Sequence, residues 1–202
     1  MSGSRIGPGS SRGSITLTGN DALTLSGDAI VYEDIERSVN RVKAIAGRVP
    51  AVTTYSGSTV LDFDYQANVN NEKGVTIDPV QLPHKYAEGE DIYFHVHWVP
   101  ETDDDAAVVW KLVYEWVNIN GVFSGTSSIE ATQAIDAQGD THLVTGLGTI
   151  DGTGMTISSV LMCSLYRHSS DAADTFDDSA YLVTCDFHYP VNSLGSRTEW
   201  VK

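Results

Sequence analysis

Hydrophobic and polar residues alternate with a period of two in several stretches of the chain after residue 59. In the clearest stretch, one side carries Ile92, Phe94, Val96 and Trp98. The same alternation recurs in residues 61–65, 108–116, 156–168 and 181–189. This period is typical of β-strands that bury one face and expose the other. The pattern therefore predicts a protein built from β-strands.

Turn-forming residues separate these stretches, and two weaker strand candidates cover residues 129–135 and 142–150. Together they predict about eight strands with no long helix between them. An antiparallel sandwich of two sheets is the natural all-β fold for such a chain, and a jelly roll is its commonest eight-stranded form. We expect its core to be anchored by the side chains of Trp98, Trp110 and Trp116.

The first 48 residues follow a different pattern. Residues 1–28 are rich in Gly, Ser and Thr, which predicts a flexible or extended arm. Residues 30–32 predict a short strand, and the apolar spacing in residues 36–45 allows a short helix without requiring one. We therefore expect an attachment arm at residues 1–48 and a jelly-roll-like β-sandwich domain at residues 49–202.

The composition is 41% hydrophobic and the net charge is −15, which indicates a globular protein and argues against a nucleic-acid binder. Residues 1–48 hold six of the twelve basic residues and five acidic ones, so nearly all the negative charge lies in the body. One interpretation is a solvated acidic domain with a near-neutral lead-in. The other is an N-terminal segment that docks onto an acidic neighbour.

No apolar run approaches the roughly 20 residues that span a membrane, and the N-terminus lacks the apolar region of a secretory signal. We therefore expect synthesis in the cytosol and no membrane partner. The two cysteines, Cys163 and Cys185, both lie in strongly apolar alternating stretches. That setting predicts two buried free thiols.

The strand that contains His95 and His97 also resembles the first half of a cupin metal motif, with Gly89 before it and Glu101 after it. Two histidines at i and i+2 lie on one face of a strand and can share a metal ion. The match then fails, because Val108 replaces a glycine and Pro100 separates Glu101 from the strand. His142 and His188, the further ligand candidates, lack the second cupin motif. The alternative to a metal site is a polar outer face.

Two acidic turns, at residues 101–105 and 171–178, offer oxygen ligands for Ca²⁺, although neither has the spacing of an EF-hand loop. We favour solvated turns for both. The glycine pairs at 146–148 and 152–154 lack the strand-to-helix context of a nucleotide loop. No nucleophile elbow or supported catalytic cysteine is present. We expect neither an enzyme nor a cofactor.

Several segments in a fixed order resemble a family of tailed-bacteriophage virion structural proteins. They are Gln81-Leu-Pro-His84, Gly89-Glu-Asp-Ile-Tyr-Phe-His-Val-His-Trp98, Val108–Phe123, Gly148–Arg167 and Cys185–Glu199. The resemblance covers residues 75–202 well and the N-terminal segment poorly. The group of motifs is more specific than any one of its pieces.

This resemblance implies a non-enzymatic virion component of the capsid-decoration, head-fibre or spike type. It implies a homo-oligomer, with a trimer as the expected state, and a capsid, neck or tail protein as docking partner. The family has no established catalytic residues to transfer. We expect the basic residues of the arm to face the docking partner; these residues are Arg37, Arg41, Lys43 and Arg48.

A third hypothesis is a tip protein that binds a receptor or a glycan through aromatic side chains. Exposed rings on sandwich loops stack on sugars, and four aromatic residues lie in segments where exposure is plausible. These residues are Tyr55, Tyr65, Tyr86 and Phe176. The sequence therefore carries three hypotheses: a virion structural protein, a cupin-like metalloprotein and a glycan-binding tip.

Overall fold

The computed structural model describes residues 13–17, 23–136 and 139–200. They form thirteen strands and two short 3₁₀ turns. The strands are β1 (Ser14–Leu17), β2 (Leu23–Ser26), β3 (Val31–Ser38), β4 (Val42–Ala44), β5 (Ala51–Tyr55), β6 (Ser58–Phe63), β7 (Gly74–Gln81), β8 (Ile92–Pro100), β9 (Ala107–Val117), β10 (Ser127–Ala134), β11 (Leu143–Ile150), β12 (Val160–Arg167) and β13 (Ala180–Val191).

The strands form two facing antiparallel sheets. One has the order β10-β9-β12-β7-β4, and the other has the order β11-β8-β13-β6-β5, with β3 also paired to β13. Within this arrangement, β7-β12-β9-β10 faces β6-β13-β8-β11, which is the strand order of an eight-stranded jelly roll. The predicted all-β sandwich of jelly-roll type is confirmed.

The core lies between the two sheets. The alternating residues of β8 point inward as predicted, and Trp98 packs edge-on against Trp110 with ring centroids 5.9 Å apart. Phe63, on β6 of the facing sheet, packs against Trp110 with ring centroids 5.1 Å apart. Trp116 is only partly buried at the edge of this core. Two of the three predicted tryptophan anchors therefore form the centre of the sandwich.

The segment before residue 49 contributes more to the sandwich than its composition predicts. Strand β3 pairs with β13 over eight residues, from Val31↔Val191 to Ser38↔Thr184, and β4 pairs with β7. Residues 39–41 form a 3₁₀ turn between them, where a short helix was allowed. The predicted division between arm and sandwich at residue 48 is therefore wrong, because residues 31–44 already belong to the two sheets.

A separate hairpin of β1 and β2 lies outside both sheets. Its contact with the sandwich includes a hydrogen bond from Leu25 N to Asn192 O (2.7 Å) and a bridge between Thr24 and Ser193. Residues 1–12 and 18–22 of the predicted arm lie outside the described residues. No helix in the described part of the chain is long and apolar enough to cross a membrane.

The loops divide between two ends of the sandwich. We call one the terminal end; it contains residues 84–91, 118–126, 151–159 and 191–200. Backbone hydrogen bonds join these loops, such as Gly89 N to Met155 O (3.0 Å) and Ala87 N to Pro190 O (2.8 Å). We call the other the acidic end; it contains residues 64–73, 101–106 and 168–179, joined by Glu101 N to Ser179 O (3.0 Å).

Candidate functional site

The predicted histidines lie on the outer face of the sheet that contains β8, β11 and β13. His95 Nδ1 and His97 Nε2 donate to the two carboxylate oxygens of Asp186, at 3.1 and 2.9 Å. Asp186 is almost fully buried, so it fixes the orientation of both rings. His142 Nε2 lies 3.0 Å from His97 Nδ1, on the side of the ring away from Asp186.

This arrangement does not form the metal centre that the cupin alternative predicts. The rings of His95 and His97 bond to different oxygens of the Asp186 carboxylate. His188 Nδ1 lies 2.6 Å from a carboxylate oxygen of Asp34, on β3. Within the described ranges, these histidines do not complete a group of three convergent ligand atoms. The structure therefore supports a hydrogen-bonded polar outer face and gives the cupin alternative no three-ligand site.

The two acidic turns differ from each other in the structure. Asp103, Asp104 and Asp105 are exposed, as expected for a solvated turn. In the second turn, Asp174 is buried and makes a two-pronged ion pair with the fully buried Arg167. The prediction of a solvated turn is therefore wrong for Asp174.

Arg167 uses all of its N–H groups within the protein. Besides Asp174, its guanidinium donates to the carbonyl oxygens of Phe63, Phe176 and Asp178. Asp174 Oδ2 also accepts the backbone N–H of Val109 at 3.0 Å. A buried ion pair is tolerated only when its remaining donors and acceptors are satisfied, as they are here. This network joins the turn at Asp174 to β6 and β9 at the acidic end.

The four basic residues predicted to dock are in different environments. Arg41 and Lys43 are exposed, and Lys43 lies on the edge strand β4. Arg48 is engaged internally, with its guanidinium 3.6 Å from Glu72 and stacked over the ring of Tyr166. Arg37 is half-buried. Burial lowers the pKa of its guanidinium, and the positive charge of the nearby Arg41 lowers it further. Arg41 and Lys43 are thus the two predicted docking residues whose side chains are exposed.

A surface that the sequence reasoning missed lies at the terminal end. Ile15, Val31 and Leu194 are 55%, 51% and 82% exposed, respectively. All three lie at this end of the sandwich, because Val31 pairs with Val191 and the hairpin that carries Ile15 is bonded to Asn192. We call these three side chains the terminal patch. We expect an interaction surface where several exposed apolar side chains lie at the same end of a domain.

The terminal end also contains a cleft of about 460 Å³ beside the end of β9. Its walls include Tyr114, Glu115, Trp116 and Asp151. The backbone N–H of Thr153 bonds to Asp151 and lowers the pKa of that carboxyl, so it stays ionised. A cleft of this size with aromatic and charged walls suits a small polar ligand.

The aromatic residues predicted for a glycan-binding tip do not line this cleft. Tyr86 and Phe176 are fully buried, because Tyr86 donates to Glu90 O and Phe176 packs against Arg167. Their predicted exposure is wrong. Tyr55 and Tyr65 are half-buried, and Tyr55 packs against Tyr181 with ring centroids 5.9 Å apart.

The predicted free and buried state of Cys163 and Cys185 is confirmed. Burial raises the pKa of Cys163 to about 12 and also raises the pKa of Cys185. Reactive cysteines have lowered pKa values, so we assign these two thiols to packing in the core.

No family model matches the chain, and no curated protein matches it. Among solved structures, the CBM22-1 xylan-binding domain of Paenibacillus barcinonensis Xyn10C is similar at 16% identity and TM-score 0.44, over 80% of this chain and 94% of that domain. The infectious bursal disease virus Gx strain structure is similar at 11% identity and TM-score 0.40, over 94% of this chain and 37% of that one. Likenesses at these values carry no argument about function.

Proposed function

We propose that this protein is a non-enzymatic structural component of a tailed-phage virion. In this proposal it is a capsid-decoration, head-fibre or tail-fibre protein that self-associates and docks through its N-terminal residues. It is made in the cytoplasm of the host bacterium and resides in the virion. A homotrimer is the expected assembly, and a capsid, neck or tail protein is the expected partner.

The observation that carries this proposal is the hairpin of β1 and β2 outside the sandwich. An isolated two-stranded hairpin is marginally stable in water, so an ordered one gains from a partner surface. The hairpin contributes Ile15 to the terminal patch, whose other members are Val31 and Leu194, and all three side chains are more than half exposed. Burying such a patch against another subunit removes apolar surface from water, which favours association.

The family resemblance supports the virion assignment, and the charge distribution agrees with it. The acidic body keeps many copies of the chain soluble and mutually repelling away from their contact sites. Arg41 and Lys43 present positive charge on the exposed surface of the segment before residue 49. Lysine on an edge strand also discourages unwanted strand pairing, which directs association toward other surfaces.

The structure defines where the arm can be removed without damage to the sheets. Strand β3 begins at Val31 and pairs with β13 over its whole length, so a truncation at residue 48 would remove strands of both sheets. Removal of residues 1–29 takes away the hairpin and the 3₁₀ turn after it, and it leaves the described strands of both sheets intact. We therefore expect the 30–202 chain to fold, and the near-UV circular dichroism spectrum of its jelly-roll core checks this.

The deciding experiment uses the phage whose genome encodes the chain. Mass spectrometry of purified particles should detect the full-length protein in many copies per particle. Particles that assemble with the 30–202 chain should lack it, while the truncated chain stays folded in the lysate. Absence of the full-length protein from particles, or equal incorporation of both forms, would refute the proposal. Matched Arg41→Gln plus Lys43→Gln particles test the basic residues separately.

The cleft beside β9 favours a second candidate function, recognition of a glycan. Trp116 offers aromatic surface, while Asp151 and Glu115 offer oxygens that accept hydrogen bonds from sugar hydroxyls. A glycan array should then give hits that Trp116→Ala abolishes and Tyr55→Ala leaves unchanged. An array without hits above background would exclude this candidate and leave the structural role.

A further inference from the structure

Three side chains of different elements converge at the acidic end, on the sheet that contains β10. Glu130 lies on β10, His168 directly follows β12, and Asp171 lies in the turn beyond it. One nitrogen or oxygen ligand atom from each lies within 4.8 Å of the other two, and among the described residues no other three histidine, cysteine or carboxylate groups do so. His168 Nδ1 and Glu130 Oε2 are 3.3 Å apart.

The 3.3 Å between His168 and Glu130 is the spacing of two ligand atoms on one tetrahedral metal ion, and Asp171 lies within 4.8 Å of both. Zinc lies about 2.0–2.2 Å from imidazole nitrogen and carboxylate oxygen, so two ligand atoms of a tetrahedron are separated by about 3.3–3.5 Å. The ring of His168 presents Nδ1 to the carboxylate of Glu130. Its other nitrogen, Nε2, faces Glu72 Oε1 at 3.8 Å.

Glu72 lies behind the ring of His168, on the side of Nε2. It is 4% exposed, and its Oε1 accepts hydrogen bonds from the backbone N–H and hydroxyl of Ser170, while its other oxygen lies 3.6 Å from Arg48. A buried carboxylate on the far nitrogen is the common partner of a metal-bound histidine, because it fixes the tautomer and strengthens the ligand. Glu72 is therefore a positioning residue.

We propose that Glu130, His168 and Asp171 bind one divalent transition-metal ion of the zinc type, with water in the open position. The imidazole selects such an ion over Ca²⁺ and Mg²⁺, which prefer all-oxygen ligands. The site is independent of the proposed virion role, because it lies at the end of the sandwich opposite the terminal patch.

Lys111 competes with the metal for the same carboxylate. Its Nζ lies 3.1 Å from Glu130 Oε2, the oxygen that also faces His168. Metal binding must displace this ammonium group from Glu130. Removal of the charge therefore strengthens metal binding, which is the opposite of what a purely structural ion-pair cluster predicts.

The test is isothermal titration calorimetry of the chelator-treated full chain with ZnCl₂. One Zn²⁺ per chain is expected, with Ca²⁺ giving no measurable binding. His168→Asn should abolish Zn²⁺ binding, and Glu72→Gln should weaken it about 10- to 100-fold, as for other partners of metal-bound histidines. Lys111→Gln should strengthen it several-fold.

The matched control is His142→Asn, because the His97–His142 pair at 3.0 Å is the other place where ring nitrogens could hold Zn²⁺. This variant should bind Zn²⁺ like the wild type. Loss of binding in His142→Asn with retention in His168→Asn would overturn the proposal, as would a wild-type chain that binds no Zn²⁺. If His168→Asn does not fold, Glu130→Gln and Asp171→Asn decide by the same readout.

Discussion

The two ends of the jelly roll use their side chains in opposite ways. At the acidic end, a turn with several aspartates folds back onto a buried arginine, and Asp174 and Arg167 satisfy each other inside the protein. At the terminal end, apolar side chains such as Leu194 face solvent. The difference shows that an acidic loop is not always solvated, because its carboxylates can pair with a buried cation inside the protein.

The largest effect on the difference between the two ends is expected from substitution of Asp174. Asp174→Ala leaves the guanidinium of Arg167 buried without its counter-charge, and we expect a loss of about 3–5 kcal/mol in the free energy of unfolding. Urea denaturation measures this loss. The matched control is Asp105→Ala in the exposed acidic turn, which should change stability by less than about 0.5 kcal/mol. Equal effects of the two substitutions would contradict a stabilising role for the buried Asp174–Arg167 ion pair.

At the terminal end, the loops of residues 84–91 and 151–159 meet in a tightly packed base. A Cβ at Gly152 would lie 1.9 Å from Glu90 O, a backbone atom that cannot move aside cheaply. Gly152→Ala should therefore cost about 3 kcal/mol in unfolding free energy. Gly154→Ala is the control, because a Cβ there meets open space and only the positive φ of +84° opposes it, at about 1 kcal/mol. Equal losses would show that this base is not tightly packed.

A smaller effect is expected at Asp62, near the acidic end, where a carboxylate is partly buried. Burial raises the pKa of its carboxyl, and its Oδ1 is buried without a hydrogen-bond partner. Because the folded pKa exceeds the unfolded value of about 3.9, the ionised form costs stability as the pH rises through the folded pKa. Asp62→Asn should therefore stabilise the protein by about 1 kcal/mol at pH 7. Thermal unfolding should show no gain below the unfolded pKa, and a gain that persists there would contradict this explanation.

The patterns in the sequence predict the central strands well. The inward face of β8 and the outward His95 and His97 follow from alternation, since side chains of a strand point to opposite faces in turn. Strand β7 is not recognisable in this way, because Pro79 interrupts it where its register with β12 shifts between Leu161 and Cys163. Proline fits a strand at such an irregularity, where a ladder hydrogen bond is already lost.

The candidate sites depend on partners that are distant in sequence. Alternation places His97 on the outer face, yet only the register of β13 brings Asp186 to it. In the same way, the role of Asp174 requires the end of β12 and the carbonyl of Phe63 to meet at one point. The terminal patch escaped the sequence reasoning, because exposure of Val31 and Leu194 follows from pairing with the last strand and not from composition.

The smallest effect on folding is expected for the terminal patch itself. Leu194 is 82% exposed, so Leu194→Ser should change the free energy of unfolding by less than about 0.5 kcal/mol. We expect the same substitution to weaken self-association, because it removes apolar surface from the proposed contact. Analytical ultracentrifugation measures this. The control is Val122→Ser, because Val122 is equally exposed at the same end, and it distinguishes a specific contact from non-specific apolar association. Equal weakening by both would contradict a specific patch.

Native mass spectrometry of the full-length chain and of the 30–202 chain tests the central claim most directly. The proposal predicts one discrete homo-oligomer, a trimer, for the full-length chain at micromolar concentration, and a folded monomer for the 30–202 chain. A full-length chain that stays monomeric at the same concentration, or a truncated chain that assembles equally well, would contradict association through the N-terminal hairpin and the terminal patch.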